Sequence, residues 1–181
     1  MSSIMVSEVY TCELDPETRT TLQMYLFKNV RNVEVIRNNI VKGVWNCAII
    51  KPSLILHPLQ VSVAANRAAV AQKHNTMVTR TVFAEILYNL SLTKNITQSL
   101  SKFGIEKDSN LLVCFLITPD GDDSKEIIQQ IEGELCPISN LSQYSNEKDI
   151  KAVYKLNNVK GDLDLLDVIV SRMVTKNIVS H

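Results

Sequence analysis

The chain has few glycines, and none of them lies in a nucleotide-binding motif. Its 181 residues include only five glycines, each with a local use after a predicted helix, in a turn or before the last helix. Neither GxxxxGK[ST] nor GxGxxG occurs, so no phosphate-binding loop and no dinucleotide fingerprint is present. The three histidines are far apart and HExxH is absent, which excludes the common zinc motifs. The sequence therefore predicts no cofactor and no metal.

Cysteine and long apolar runs are equally scarce. The four cysteines are widely spaced, without a CxxC pair, and we expect reduced, buried thiols. The N-terminus lacks a basic segment followed by an apolar core, so we expect no secretory signal. The apolar run Leu111–Ile117 is only as long as a strand, against the roughly 20 residues that span a bilayer. We therefore expect a cytoplasmic and nuclear protein without a membrane span, in which three N-glycosylation sequons are accidental.

The hydrophobic pattern predicts one α+β domain over residues 1–181, with a largely antiparallel central sheet flanked by helices. Strands are expected at Leu22–Phe27, Leu111–Thr118 and Glu134–Ile138, with shorter β-rich pieces at Asn46–Ile50 and Ser53–Leu56 on either side of Pro52. Helices are expected at Arg31–Lys42, Pro58–Asn75, Thr81–Leu90, Asn95–Gly104, Lys125–Glu132, Glu147–Leu156 and Asp162–Lys176. The strand from Leu111 is apolar on both faces and is expected in the middle of the sheet.

The segment from Asn95 to Gly104 is predicted to be a short capped helix. Asn95 is a good N-cap residue and Gln98 completes a pair resembling a capping box. Ile96, Leu100 and Phe103 recur at helical spacing before Gly104 ends the helix.

The last helix has apolar residues almost all round, with acidic residues at its start and basic residues at its end, as the helix dipole favours. A terminal helix with more apolar surface than one core face can use often docks a partner. Burial of the helix in the core of this protein is the alternative.

Charge is balanced over the whole chain but is unevenly distributed. Residues 57–107 contain six basic and two acidic residues, and residues 108–167 contain twelve acidic residues against five lysines. Two solvated faces of different charge would give the same pattern. No GxSxG surrounds a serine, and a small cytosolic enzyme would need a site assembled from scattered residues such as His57, Arg80 and Glu85.

Several stretches resemble the kinase-binding subunit of the KEOPS (EKC) tRNA-modification complex, the PRPK-binding protein family. They are LFKNVRN from Leu26, IIKPSLILHPLQVSVAANRA from Ile49, MVTRTVFAEILYNLSLTKNITQSLSKFGI from Met77, YKL from Tyr154 and LLDVIVSRMVTKNIV from Leu165. The resemblance covers nearly the whole chain, and residues 1–15 and 120–146 are its weakest parts.

The resemblance implies a mixed α/β domain that is not itself catalytic. Such a subunit binds the amino lobe of the small atypical kinase/ATPase of the complex, stimulates it, and helps to recruit tRNA by its 3′ CCA end for threonylcarbamoyladenosine modification. The threonylcarbamoyl transferase and dimerisation subunits would be indirect partners. Some family members are also linked to telomeres.

Two sets of site residues follow from the resemblance. The tRNA-binding candidates are Arg80, Lys94, Asn95, Ile96, Lys102, Phe103 and Gly104. Helix-start amides and nearby lysines can hold phosphates, and an exposed Phe103 ring would stack on an unpaired base, with core packing as its alternative. The kinase-binding candidates, in the C-terminal helical part, are Tyr154, Leu166, Ile169, Val170, Arg172 and Met173. The neutral net charge predicts weak binding of tRNA by this subunit alone.

Overall fold

The structure is a computed structural model and describes residues 9–159 and 164–179. The strands of this part are β1 (Tyr10–Glu13), β2 (Thr21–Lys28), β3 (Ala48–Ile50), β4 (Leu111–Ile117) and β5 (Glu134–Cys136). Its α-helices are α1 (Val33–Val41), α2 (Pro58–Lys73), α3 (Val82–Leu90), α4 (Ile96–Phe103), α5 (Ser124–Gln129), α6 (Glu147–Val153) and α7 (Leu165–Thr175).

The strands form one open antiparallel sheet. Its order is β1-β2-β4-β3, and β5 pairs with the end of β2 that β1 leaves free. β4 lies between β2 and β3, with Cys114 opposite both Met24 and Ala48. The predicted α+β class, the antiparallel sheet and the central position of this strand are confirmed.

Helices cover both faces of the sheet, and because side chains alternate along each strand, neighbouring residues of a strand belong to different cores. Leu112 and Cys114 of β4 belong to the larger core, to which α2, α3, α4, α6 and α7 contribute. Leu111 and Val113 belong to a second core on the opposite face, which α1 and the segment around α5 cover. A strand with two buried faces needs apolar residues at every position, which explains the sequence of β4.

One prediction of local structure was wrong, and one strand was missed. Ser53–Leu56 does not form a β-strand, because Pro52 begins a 3-10 helix over Pro52–Leu54 instead. Strand β1 was not predicted, because its sequence YTCE alternates half-buried and exposed positions without an apolar run. The predicted start of the last helix at Asp162 lies outside the described residues, and α7 is described from Leu165 onwards.

The cysteines are free thiols and three of them are buried: Cys47, Cys114 and Cys136. Cys12 is only half-buried, so the prediction of burial was wrong for this residue. Burial raises the pKa of Cys47 to about 12, which keeps it protonated and unreactive at neutral pH. None of the helices in the described ranges is long and apolar enough to cross a bilayer.

Candidate RNA-binding and partner-docking surfaces

Helices α3 and α4 form a hairpin that carries the predicted RNA-binding residues. The side chain of Asn95 accepts a hydrogen bond from the Gln98 amide at 3.0 Å, which confirms the predicted N-cap. The second hydrogen bond of a capping box, from the Asn95 amide to the Gln98 side chain, is absent. The Asn95 amide donates to Thr93 Oγ1 at 3.1 Å instead. The cap fixes the start of α4 next to the connection from α3.

The hairpin separates the predicted RNA-binding residues into two groups. Lys94, Asn95 and Ile96 lie at the start of α4, whereas Lys102 and Gly104 lie at its other end. Eight helical residues span about 12 Å, so these groups do not form one compact site. Lys94, Asn95 and Lys102 are exposed. Only a ligand as long as α4, such as an extended single strand of RNA, would contact all three.

A cavity of about 530 Å³ lies at the second end of this hairpin, between α3, α4, α1 and the edge strand β3. The predicted RNA-binding residue Gly104 lines it, and so do Thr81 and Ser101, the chain neighbours of the predicted residues Arg80 and Lys102. Most of its wall is apolar, with polar groups from Arg37, Asn46 and Glu106. The principal apolar lining residues are Ile40, Trp45, Ile49, Phe83, Leu87 and Leu100.

Trp45 and Phe83 are the aromatic residues of this cavity, and the sequence analysis did not place either of them in a site. Phe83 and Leu87 occupy the second apolar side of α3, next to the buried side formed by Val82 and Ile86. This second side was visible in the sequence of α3 as extra apolar residues. Trp45 had no such signal, because it lies in the irregular segment between α1 and β3.

Phe103 is not available for stacking on a base. Its side chain is 0% exposed and packs in the larger core, where its ring lies 6.1 Å from that of Tyr154. The prediction of an exposed ring was wrong, and the alternative of core packing is what the structure shows. Phe103 therefore anchors α4 to the core, while Lys102 beside it remains exposed.

Helix α7 divides into a buried side and an outer face. Ile169 and Met173 are buried in the larger core. Leu166 and Val170 are half-exposed and are not packed against that core. Just beyond the helix, the side chain of Ile178 is 84% exposed. We call Leu166 and Val170 the α7 outer face.

Three of the predicted kinase-binding side chains are therefore not on the surface: Tyr154, Ile169 and Met173. The prediction that they form an exposed face was wrong, because a helix that is apolar all round does not reveal which side is buried. The Tyr154 hydroxyl donates to the Leu90 carbonyl at 2.7 Å and accepts from the Gln60 side chain at 2.8 Å. Burial raises the pKa of this phenol, so Tyr154 is a neutral core residue.

Arg172, another predicted kinase-binding residue, is half-buried and bonded within the protein. Its guanidinium donates to the carbonyls of Tyr154 and Lys155, both at 2.8 Å. These carbonyls lie at the C-terminal end of α6, where a cation pairs well with unsatisfied acceptors. Arg172 therefore holds α6 against α7.

The residues proposed for an alternative enzyme site also have structural partners. His57 Nδ1 accepts a hydrogen bond from the Leu59 amide and caps α2. The buried Glu85 carboxylate accepts bonds from the amides of Val78 and Thr79 at 3.0 and 2.8 Å. Arg80 is exposed. Among the described residues, no group of three or more histidine, cysteine, aspartate or glutamate side chains is arranged to hold a metal ion.

The fold and these surfaces define a small α+β protein with an apolar cavity beside exposed basic residues, and a terminal helix with an outward apolar face. The family model described as "Kinase binding protein CGI-121" matches residues 27–177. Because that match covers most of the chain, this protein belongs to the kinase-binding protein CGI-121 family.

Relatives in animals and fungi agree with this assignment. The chain is 32% identical over 162 residues to the EKC/KEOPS complex subunit TPRKB of Danio rerio, covering 87% of this chain and 92% of that protein. It is 30% identical over 135 residues to the EKC/KEOPS complex subunit CGI121 of Candida glabrata, covering 72% and 76%. The Yarrowia lipolytica subunit of the same name is 29% identical over 154 residues, covering 84% and 88%.

Proposed function

We propose that this protein is a non-catalytic subunit of a KEOPS/EKC complex in the cytoplasm and nucleus. It binds and stimulates the small atypical kinase/ATPase subunit, and it helps to recruit tRNA for threonylcarbamoyladenosine modification. The observation that carries the proposal is the family match over residues 27–177, together with relatives that are named as subunits of this complex. The transferase and dimerisation subunits are indirect partners.

The α7 outer face supports the kinase-binding half of the proposal. Leu166 and Val170 project from a helix whose other side is fixed in the core. Ile178, just beyond the helix, is also exposed. Exposed apolar residues on a rigid helix are a suitable surface for another protein, because little ordering is needed on binding. The kinase would cover these residues.

The α3-α4 hairpin supports the tRNA-binding half. Arg80 and Lys102 would contact phosphates beside the cavity, and unpaired bases of the 3′ end would enter it against the half-exposed Phe83. Trp45 is 5% exposed and belongs to the buried wall of the cavity. Single-stranded RNA is commonly bound by stacking unpaired bases on aromatic side chains, while basic residues contact the backbone. The strand would then follow the exposed side of α4 towards Lys94.

Binding of tRNA with and without its CCA end tests this half directly. We expect the intact tRNA to bind more tightly to the complex of this protein with the kinase, and removal of CCA to abolish most of that difference. Lys102→Glu should weaken binding of the intact tRNA by about 10-fold, because a phosphate contact is replaced by a repulsive charge. Gel shifts at fixed salt measure the effect.

Lys148→Glu is the matched control for that substitution. Lys148 is exposed on α6, so its replacement changes the charge by the same amount outside the hairpin. Equal loss of binding in both variants would indicate a general charge effect and would contradict the assigned site. Equal affinity for tRNA with and without CCA would reject recognition of the 3′ end.

A further inference from the structure

Lys176, at the end of α7, has an ammonium group inside the protein. The residue is 3% exposed. Its Nζ donates to the carbonyl oxygens of Tyr88, Ser91 and Thr93, the last two at 2.9 and 3.2 Å. It also lies 3.5 Å from the centroid of the Tyr88 ring. All three donors of the ammonium are thus used on one short segment of the chain.

The carbonyls that Lys176 binds join the end of α3 to the beginning of α4. Helix α3 ends at Leu90, so its last carbonyls have no partner within the helix and need an external donor. The Thr93 carbonyl also accepts a bond from Ser99 Oγ of α4 at 3.4 Å. The ammonium group of Lys176 therefore binds the segment that connects α3 to α4 in the hairpin.

The same helix is attached at a second point. Arg172, one turn earlier, holds the C-terminal carbonyls of α6, and Met173 between them is buried in the core. A shift or rotation of α7 would therefore break the bonds to residues 88–93. Conversely, a partner that stabilises α7 in its present position would also stabilise the connection between α3 and α4.

We propose that Lys176 is a positioning residue that couples the α7 outer face energetically to the α3-α4 hairpin. Binding of the kinase to α7 would thereby increase the affinity of the hairpin for an RNA 3′ end, and binding of RNA would favour the kinase equally, as linkage requires. This inference rests on the function proposed above and adds a link between its two surfaces.

The charges around Lys176 fit a role for its ammonium in this link. Glu85 of α3 favours the charged form, whereas Arg67 of α2 and Lys94 of the connection disfavour it. Glu85 also holds the amides of Val78 and Thr79, just before Arg80. The environment of Lys176 therefore includes α2, α3, the connection to α4 and, through Glu85, the segment that leads to Arg80.

A binding cycle with Lys176→Met tests the proposal. The ligand is a short single-stranded RNA ending in CCA, too short to contact the kinase when bound at the hairpin. Its affinity for the wild-type protein should rise at least about fivefold when the kinase is saturating. In Lys176→Met the rise should fall below about twofold, because methionine fills the space but donates no hydrogen bond.

Lys148→Met is the control, since it removes the same charge from an exposed position on α6 and should keep the wild-type rise. Hydrogen exchange of the wild-type protein provides a test that needs no variant. We expect the amides of residues 89–98 to exchange more slowly when the kinase is bound, although the kinase contacts α7.

The outcomes separate this inference from the proposed function. If the wild-type protein binds neither the kinase nor the RNA, the proposed function fails. If it binds both, but Lys176→Met keeps the full rise in affinity, or exchange at residues 89–98 does not change, the coupling through Lys176 is rejected while the proposed function stands.

Discussion

Lys176 and Arg172 are basic residues of the last helix that the structure uses internally. In the sequence they are basic residues at the C-terminal end of a helix, where they interact favourably with the helix dipole. The resemblance placed Arg172 on a kinase-binding face. Neither argument reveals that their donors are bonded to carbonyls of other helices. Such contacts join residues about 17 and 85 positions apart in the chain, so local pattern does not contain them.

Burial lowers the pKa of Lys176 from 10.5 to about 8, with Glu85 opposing the shift and Arg67 and Lys94 adding to it. Between these two pH values the unfolded chain binds more protons at this site than the folded chain. The wild-type free energy of unfolding should therefore rise relative to that of Lys176→Met as the pH increases from about 8 to 10.5, by at most about 1.4 kcal/mol per pH unit.

Urea denaturation of both proteins at several pH values measures that difference. Other groups that titrate in this range, including Tyr88 with its raised pKa, are present in both proteins, so subtracting the two curves removes their shared contribution. A difference that stays constant from pH 7 to 10 would show that Lys176 is not buried as described.

Among the helices and strands, the sequence predicted correctly those features that depend on residues close together in the chain. The cap at Asn95 and the helix predicted at Thr81–Leu90 were correct, because capping and helical spacing depend on residues a few positions apart. The side of α7 that faces the core was not predictable, because the helix carries apolar residues on almost all of its sides. Phe103 completes the apolar spacing of α4 and is fully buried. The spacing alone was compatible with burial of this ring and with its exposure.

The orientation of α7 gives a prediction about kinase binding. Val170→Glu places a charge on the outer face without entering the core, and it should weaken binding of the kinase by at least about 10-fold with little change in unfolding free energy, because surface substitutions usually cost under 0.5 kcal/mol. Calorimetric titration of the kinase measures the affinity.

Ser171→Glu is the control for that variant, since Ser171 is exposed on the same helix and the substitution adds the same charge at a polar position; it should keep the wild-type affinity. Wild-type affinity in Val170→Glu would show that the kinase binds elsewhere.

At the scale of the whole molecule, we propose that this protein acts through the surfaces that it offers to other molecules. The sheet is buried on both faces, and the cations Arg172 and Lys176 are bonded within the protein. We propose that other molecules bind at the cavity beside α4 and at the α7 outer face. The resemblance predicted the family, which the match over residues 27–177 confirms, whereas tRNA and the other subunits stay predictions. Trp45 and Phe83 both line the cavity but lie far apart in the sequence, so only the folded chain brings them to one place.

The most direct test is purification of the tagged protein from its own cells, followed by mass spectrometry of the proteins that remain bound. The account predicts recovery of the atypical kinase subunit together with the transferase of the complex, and loss of both in Val170→Glu. Recovery of the intact protein without the kinase would contradict the central claim that this chain is a kinase-binding subunit.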